Sequence, residues 1–406
     1  MGFAFEQECP QCGGAIALDE ADRLFRCPYC AVSSFLSNTE PFRFVLPTKG
    51  PGEEPLYVPF IRFKGAVYTC QGLEVGHRLL DVTHLGFPHP LLPVSLGFRP
   101  QVMKMKFISP ELPGDFLPCR LSLEEALARI DGNPLRAGQN RVFHQAHIGE
   151  SCSFIYLPTA RRGAALYDLV TDTALGVLLD QDETLVPSVR PDWRPIFLAT
   201  LCPGCGANLA GDQDSVVLFC PNCESAWEPG PAGFQAIPCK TLFADVVGAK
   251  TRLLPFWGVA TTGDGLRNFA DFMRLTNQPK VIPSAWEKRE LTFISPAFKV
   301  RPKIYLRLAG QMTLAQAAMA GAATAMPKAP YPVNLPKSEA VESLKIILAA
   351  TAVAKKNVLP MLPDLHFQIQ GITLFLIPFQ DNGSGLCQEK LDINISRQDL
   401  DRGMHI

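Results

Sequence analysis

Eight cysteines in two identical spacings constrain this chain more than any other feature. Cys9, Cys12, Cys27 and Cys30 read Cys-Pro-Gln-Cys, fourteen residues, Cys-Pro-Tyr-Cys. Cys202, Cys205, Cys220 and Cys223 repeat this as Cys-Pro-Gly-Cys, fourteen residues, Cys-Pro-Asn-Cys. A Cys-x-x-Cys turn brings two sulfurs to one point. Two such turns supply a tetrahedron of thiolates, the geometry zinc takes in closed structural sites. The fourteen residues between the turns suffice for a short hairpin, with Leu24 and Arg26 on the first return strand and Val216 to Phe219 on the second. A segment of about 30 residues buries too little surface to fold alone. Metal must then supply its stability, on the order of 10–16 kcal/mol for structural zinc.

The second set follows the first at one common offset (202 − 9 = 193), and further matches keep the same order. Tyr57-Val-Pro-Phe60 resembles Leu253-Leu-Pro-Phe256, and Phe107-Ile-Ser-Pro110 recurs letter for letter as Phe293-Ile-Ser-Pro296. Ser122 to Ala126 resembles Thr313 to Ala317, and Ser153 to Pro158 resembles Thr373 to Pro378. The chain therefore reads as a duplication, divided near Ala199, with an insertion at residues 327–360. The expected organisation is a zinc ribbon at 1–38, an α+β body at 39–198, a second ribbon at 199–230 and a duplicate body at 231–406. The fold class is α+β: two tandem related halves, each a four-cysteine ribbon followed by a strand-rich body.

Local patterns fill in the bodies. Leu56 to Cys70 reads as a hairpin turning at Lys64-Gly65, matched by a strand from Leu253 to Ala260. Pro59 and Pro255 inside these runs suggest edge positions or strand starts. Ser122 with Glu125 forms a capping box, and Thr313 with Gln316 repeats its letters. Ser338 to Lys356 reads as one helix with Val341, Leu344, Ile347 and Leu348 on one face. Ile369 to Phe379 reads as a buried strand. Gly263-Asp-Gly265 opens a short helix carrying Leu266, Phe269, Ala270 and Met273.

Composition bounds the function. Lys and Arg number 38 against 39 Asp and Glu, for a net charge of -1. A nucleic-acid binder carries a basic excess that is missing here, which argues against nucleic acid as a partner. Charged residues make up 19%, below the roughly 25% of ordinary soluble domains. That fits a chain that buries a face on a protein partner or a second copy, and fits a large packed core equally. The start, MGFAFEQECP, is not a secretory signal, and Phe5-Glu6 does not fit myristoylation. Leu306 to Met326 contains Arg307, Gln311, Gln316 and two Gly, and reads as a buried helix rather than a membrane span. The expected location is cytoplasmic, where thirteen cysteines point to metal rather than disulfides.

The other candidates are weaker. Cys70, Cys119, Cys152, Cys239 and Cys387 have no close cysteine partner and read as structural thiols. Cys152 follows His144 and His147, so a Cys–His nucleophile is conceivable, and the two histidines could hold a metal from one helix face. His84 and His89 offer a similar pair across a Pro-rich loop. Surface or core roles outweigh these for all four histidines. No phosphate loop or dinucleotide fingerprint is present, and no catalytic residue is assigned.

The ribbons followed by Leu254-Pro-Phe-Trp257, and less closely by Val58-Pro-Phe-Ile61, resemble bacterial multi-zinc-ribbon proteins with an LPFW-type segment. That resemblance implies a metal-binding architecture, covers under a quarter of the chain and carries no catalytic residue with it. The Cys-Pro-x-Cys-Gly turns at Cys9 to Gly13 and Cys202 to Gly206 also resemble rubredoxin, which has Gly after its second turn too. Here Ala31 and Glu224 stand there. The favoured expectation is two zinc ions in a non-enzymatic scaffold or adaptor acting through protein contacts. A rubredoxin-like iron electron carrier and a nucleic-acid-binding ribbon protein are the alternatives.

Overall fold

In the computed structural model, apolar runs and cysteine turns organise a mixed α+β chain with more strand than helix, in two similar halves. It describes residues 2–37, 40–49, 53–131, 141–178, 185–187, 190–230, 232–243, 247–248, 250–319 and 330–403. Two compact units divide the chain. The first holds Met1–Lys64, Leu80–Leu135 and Glu150–Ala199; the second holds Gly65–Leu79, Arg136–Gly149 and Thr200–Ile406.

The first unit begins with two small hairpins. β1 (Ala4–Glu8) pairs with β2 (Ala15–Asp19), and β3 (Leu24–Arg26) pairs with β4 (Ser33–Ser37). Each hairpin wraps one Cys-x-x-Cys turn. The expected hairpin within residues 13–26 is therefore not formed, because β2 pairs backward and β3 forward. Next come β5 (Phe42–Val45), β6 (Leu56–Gln71), β7 (Glu74–Leu85) and α1 (Arg99–Val102). β8 (Met105–Phe107), β9 (Asp115–Phe116), α2 (Leu123–Asp131) and β10 (Val142–Arg162) follow. β11 (Ala165–Asp168), β12 (Thr173–Val177) and β13 (Ile196–Ala199) complete this half.

The main sheet runs β12-β11-β10-β5-β8-β1-β2, so the first ribbon hairpin extends the body sheet. β13 pairs with β4. Alternating aromatics meet on one face: Phe44 stacks on Phe107 at 4.8 Å, with Phe5 and Trp193 against Phe107. The Ser122 capping box forms as expected. The Ser122 amide donates to Glu125 at 2.8 Å, and the Glu125 amide donates to the Ser122 hydroxyl at 3.1 Å.

In the second unit, β14 (Leu218–Cys220), β15 (Ser225–Gly230) and β16 (Gly233–Ile237) form a three-stranded sheet. The body contains β17 (Cys239–Thr241), β18 (Thr251–Gly263), β19 (Thr292–Pro296), β20 (Phe367–Asp381), β21 (Gly385–Gln388) and β22 (Ile393–Ser396). Their order is β19-β18-β20-β21-β22, with β17 also on β20. The helices are α3 (Phe269–Leu275), α4 (Pro302–Ala315), α5 (Lys337–Glu342), α6 (Leu344–Thr351), α7 (Lys355–Val358) and α8 (Arg397–Gly403).

The LPFW segment lies in β18, a central strand. Leu253, Leu254, Phe256, Trp257 and Val259 are all buried, as a continuous apolar run should be when both faces of a strand are covered. The Trp257 indole donates to the Leu335 carbonyl at 2.8 Å. Gly258 leaves room for a facing ring: a Cβ there would stand 2.1 Å from Phe375. Pro255 is not on an edge strand. It pairs with Leu376 of β20 and sits one residue before the pairing with β19 begins, so its missing N–H falls where one ladder starts.

The duplication is visible in topology. β5 runs parallel to β10 at Phe42–Val45, and β17 runs parallel to β20 at Cys239–Thr241. β10-β11-β12 and β20-β21-β22 are equivalent antiparallel meanders. The Phe-Ile-Ser-Pro repeat diverges: β8 pairs with β5 and β1, whereas β19 pairs with β18. Helices α5 to α7 lie where the sequence places its insertion; residues 327–329 of that insertion fall outside the described set.

Several local expectations are corrected. β6 runs unbroken through Lys64-Gly65 and turns at Gly72, whose φ of 62° suits glycine. Thr313 does not begin a helix. It lies in the last turn of α4, where its hydroxyl accepts from the Ile294 amide, while the Gln316 amide group accepts from and donates to Thr292. Those side chains tie α4 to β19. The Ser338–Lys356 helix is interrupted at Ser343 and again after Thr351. β20 is buried at Leu374 and from Leu376 to Phe379, but Ile369 is 39% exposed. Leu306 to Met326 is helical as far as Ala318, and residues 320–326 lie outside the described set. Among the described residues no helix is long and apolar enough to cross a membrane.

Candidate metal centres

Each cysteine turn is shaped by its own backbone. In the first ribbon the Gly13 amide donates to the Cys9 carbonyl and the Cys9 amide to the Gly14 carbonyl, both at 2.9 Å. The Ala31 amide donates to the Cys27 carbonyl at 3.0 Å, and the Cys27 amide to Val32 at 2.9 Å. The second ribbon repeats this at Gly206 to Cys202 and Cys202 to Ala207, both at 2.8 Å. Such a turn ends on a left-handed residue. Gly13 and Gly206 take φ of 73° and 74°, and Ala31 and Glu224 take 59° and 54°.

The sulfurs converge. Cys9 and Cys30 Sγ are 3.8 Å apart and Cys12 and Cys27 Sγ 3.6 Å. Cys202 and Cys223 are 3.6 Å apart and Cys205 and Cys220 3.4 Å. Within each set all four ligand atoms lie within 4.8 Å of one another. A tetrahedral zinc with bonds of about 2.3 Å needs sulfurs about 3.8 Å apart. The donor set therefore fits a thiolate-preferring cation of that size. Among the described residues, these two sets are the ones that gather three or more His, Cys, Asp or Glu ligands.

The thiols are electrostatically unequal. The Cys30 backbone amide, ahead of the other contacts, lowers Cys27 to about 6, and the Ala207 amide does most to lower Cys205 to about 6. The Gly14 amide also works to lower Cys12, but burial and the neighbouring sulfurs push it up to about 11. Burial leads in pushing Cys220 to about 11. Four sulfurs packed this closely repel when ionised, and a divalent cation is what offsets that repulsion.

Comparison with protein-family models, with curated proteins and with solved structures found no match. The assignment of the centres therefore rests on their geometry.

The remaining candidates disperse into structure. No disulfide forms among the described residues. Burial pushes Cys70 and Cys239 up to about 12 and raises Cys119. Cys152 and Cys119 each pack against the cluster of Ile61, Leu121 and Ala126. His144 and His147 lie on a strand, β10, not a helix. Three residues apart on a strand, they face opposite sides and cannot chelate one ion. His84 Nδ1 engages its neighbour's carbonyl at Leu85, and His89 Nδ1 accepts from the Leu91 amide. Sequence reasoning missed Ser225, which contacts the second cluster, and Trp227, which donates to Ser225; the signal was their place just after its last cysteine. It also missed the buried pair Glu20 and Arg62, which no local pattern marks.

Two predictions arise here. Ala31→Gly and Glu224→Gly should each stabilise the loaded protein by about 0.5–1 kcal/mol. The gain from relieving a left-handed residue exceeds the added freedom of glycine in the unfolded chain. Urea titration of each variant measures this. The second concerns His144, where burial is the main cause lowering its pKa from 6.5 to about 4, with Lys345 adding to it. Between those values the unfolded chain binds a proton that the fold excludes. Stability is therefore lost as pH falls from 6.5 toward 4. His144→Leu should reduce the loss between pH 7 and pH 5 by about 1 kcal/mol, discounted for solvent screening of a half-buried ring. Comparing urea midpoints of both proteins at the two pH values tests it.

Proposed function

We propose that this protein is a non-enzymatic, zinc-binding scaffold or adaptor that works through protein–protein contacts in the cytoplasm. The observation that supports it most is the closure of both sulfur clusters. Four thiolates fill a tetrahedral zinc shell and leave no position for substrate or water. The chemistry such an ion supplies is cohesion: it holds two hairpins of each ribbon together. Exposed apolar residues around α1 are consistent with contact to another protein. Val94, Phe98 and Val102 are 66%, 79% and 76% exposed. The resemblance of the ribbons and the LPFW segment to bacterial multi-zinc-ribbon proteins agrees with this reading.

The test is metal analysis and native mass spectrometry on protein from its own host. Two zinc ions per chain, a colourless solution and a stoichiometric partner or second copy are expected. A red protein carrying iron would replace this reading with an electron carrier. A lone monomer at cellular concentration would remove the adaptor role. Salt-dependent binding to DNA or RNA would favour the nucleic-acid alternative.

A further inference from the structure

The two clusters share a backbone but not their surroundings. In the second ribbon the Ser225 hydroxyl lies 2.9 Å from Cys223 Sγ. Trp227 Nε1 lies 2.7 Å from the same hydroxyl oxygen. An indole N–H only donates, so the Ser225 oxygen must accept there. Its one proton is left for sulfur, and Cys223 is closer than Cys202, which stands at 4.0 Å. The indole also covers the first turn. A Cβ added at Gly204 would meet the Trp227 ring at 3.5 Å and Cys202 Sγ at 3.7 Å.

At the common offset the first ribbon has Val32 in place of Ser225 and Ser34 in place of Trp227. Valine offers no side-chain donor, and Val32 is 42% exposed beside the turn. Its carbonyl is engaged by the Cys27 amide. Ser34 is buried in β4. At the positions of Ser225 and Trp227, the first ribbon thus repeats neither the hydroxyl nor the indole that holds it in place in the second.

A hydrogen bond to a ligating thiolate orients the side chain and draws off part of the sulfur's charge. Protons, chelators and electrophiles then compete less well for it, and losing such a partner typically costs 10–100-fold in metal affinity. We infer that the two metal sites are inequivalent. Ser225, locked by Trp227, makes the second ribbon the inert site. The first ribbon is where metal exchanges and where thiol-reactive agents act first. This rests on reading both clusters as zinc sites, with Ser225 as a positioning residue rather than a ligand.

The experiment is zinc release from the full chain, loaded with two zinc ions, into excess EDTA, followed by sampling free zinc with time. Two phases of one zinc each are expected. Ser225→Ala should accelerate the slow phase 10–100-fold and leave the fast phase unchanged. Trp227→Phe keeps a ring over Gly204 but removes the N–H, and should give an intermediate acceleration. With cobalt in place of zinc, Ser225→Ala should move the thiolate-to-cobalt charge-transfer band to lower energy, a change that mere loosening of the fold does not produce. A single phase releasing both zinc ions would overturn the inference and leave the zinc reading intact. So would a slow phase and a cobalt spectrum both indifferent to Ser225→Ala. A chain that takes up no zinc would overturn both.

Discussion

If both clusters hold zinc as proposed, replacing Cys27 with Ser is expected to leave one ion per chain in place of two. Cys27 is 1% exposed, and both its amide and its carbonyl are held in the turn. The substitution therefore preserves the backbone and removes one thiolate. A serine hydroxyl does not ionise near neutrality, so the cation loses a quarter of its donor set. Structural zinc in isolated ribbons contributes about 10–16 kcal/mol, and losing it should be the largest single effect available in the first half. The damage should spread unevenly. β3, β4 and β13 form a separate three-stranded sheet and should lose amide protection first. β1 and β2 are tied to the body through β8 and should persist longer. Phe25, Ile16 and Leu18 belong to the same buried cluster as Phe3, Phe5 and Phe44, so some loosening of the first body is expected. Zinc-to-protein ratio and hydrogen exchange check both parts. Loss of both ions would show that the ribbons are coupled. Retention of both would show that Cys27 is not a ligand.

What could be read in the sequence follows the range of the forces involved. The two four-cysteine sets were legible because a Cys-x-x-Cys turn sets its sulfurs by local geometry. The duplication was legible because the cysteine turns and the long strands β10 and β20, with Ser153 to Pro158 matched by Thr373 to Pro378, kept similar letters, whereas β5 and β17, which repeat only the pairing, did not. Leu253 to Ala260 was legible as a strand, but its central, buried place was not, because Pro255 pointed to an edge. Helix α4 was misplaced because the Thr313 and Gln316 letters mimic a cap. The better signal was Pro302, the first residue of the helix. The turn at Gly72 was missed because Lys64-Gly65 offered a glycine earlier, and only pairing partners decide which glycine turns. Nothing in local pattern could place residues 65–79 and 136–149 in the second unit. That assignment depends on what those segments pack against.

The same limit hid Arg62, and with it the other large effect: Arg62→Met is expected to destabilise the first unit by about 3–5 kcal/mol. Arg62 is 1% exposed and Glu20 4%. The guanidinium donates through Nε and Nη2 to the two Glu20 oxygens at 2.8 and 3.0 Å. Its Nη1 meets Asp81 at 2.8 Å, and the Phe3 ring lies 5.2 Å away. Burial opposes the Arg62 charge, yet the two carboxylates outweigh it and raise its pKa. Removing the arginine would leave Glu20 buried, with the Ser151 hydroxyl at 3.2 Å still donating to it. An uncompensated buried carboxylate is what makes the single change costly. Arg62→Met combined with Glu20→Leu removes both charges and should recover most of the loss, since apolar replacements of a buried pair are often neutral. Asp81 is 26% exposed and can turn to water. The double variant separates this cause from lost packing. A double variant as unstable as Arg62→Met alone would assign the loss to the arginine's packing against Phe3 instead.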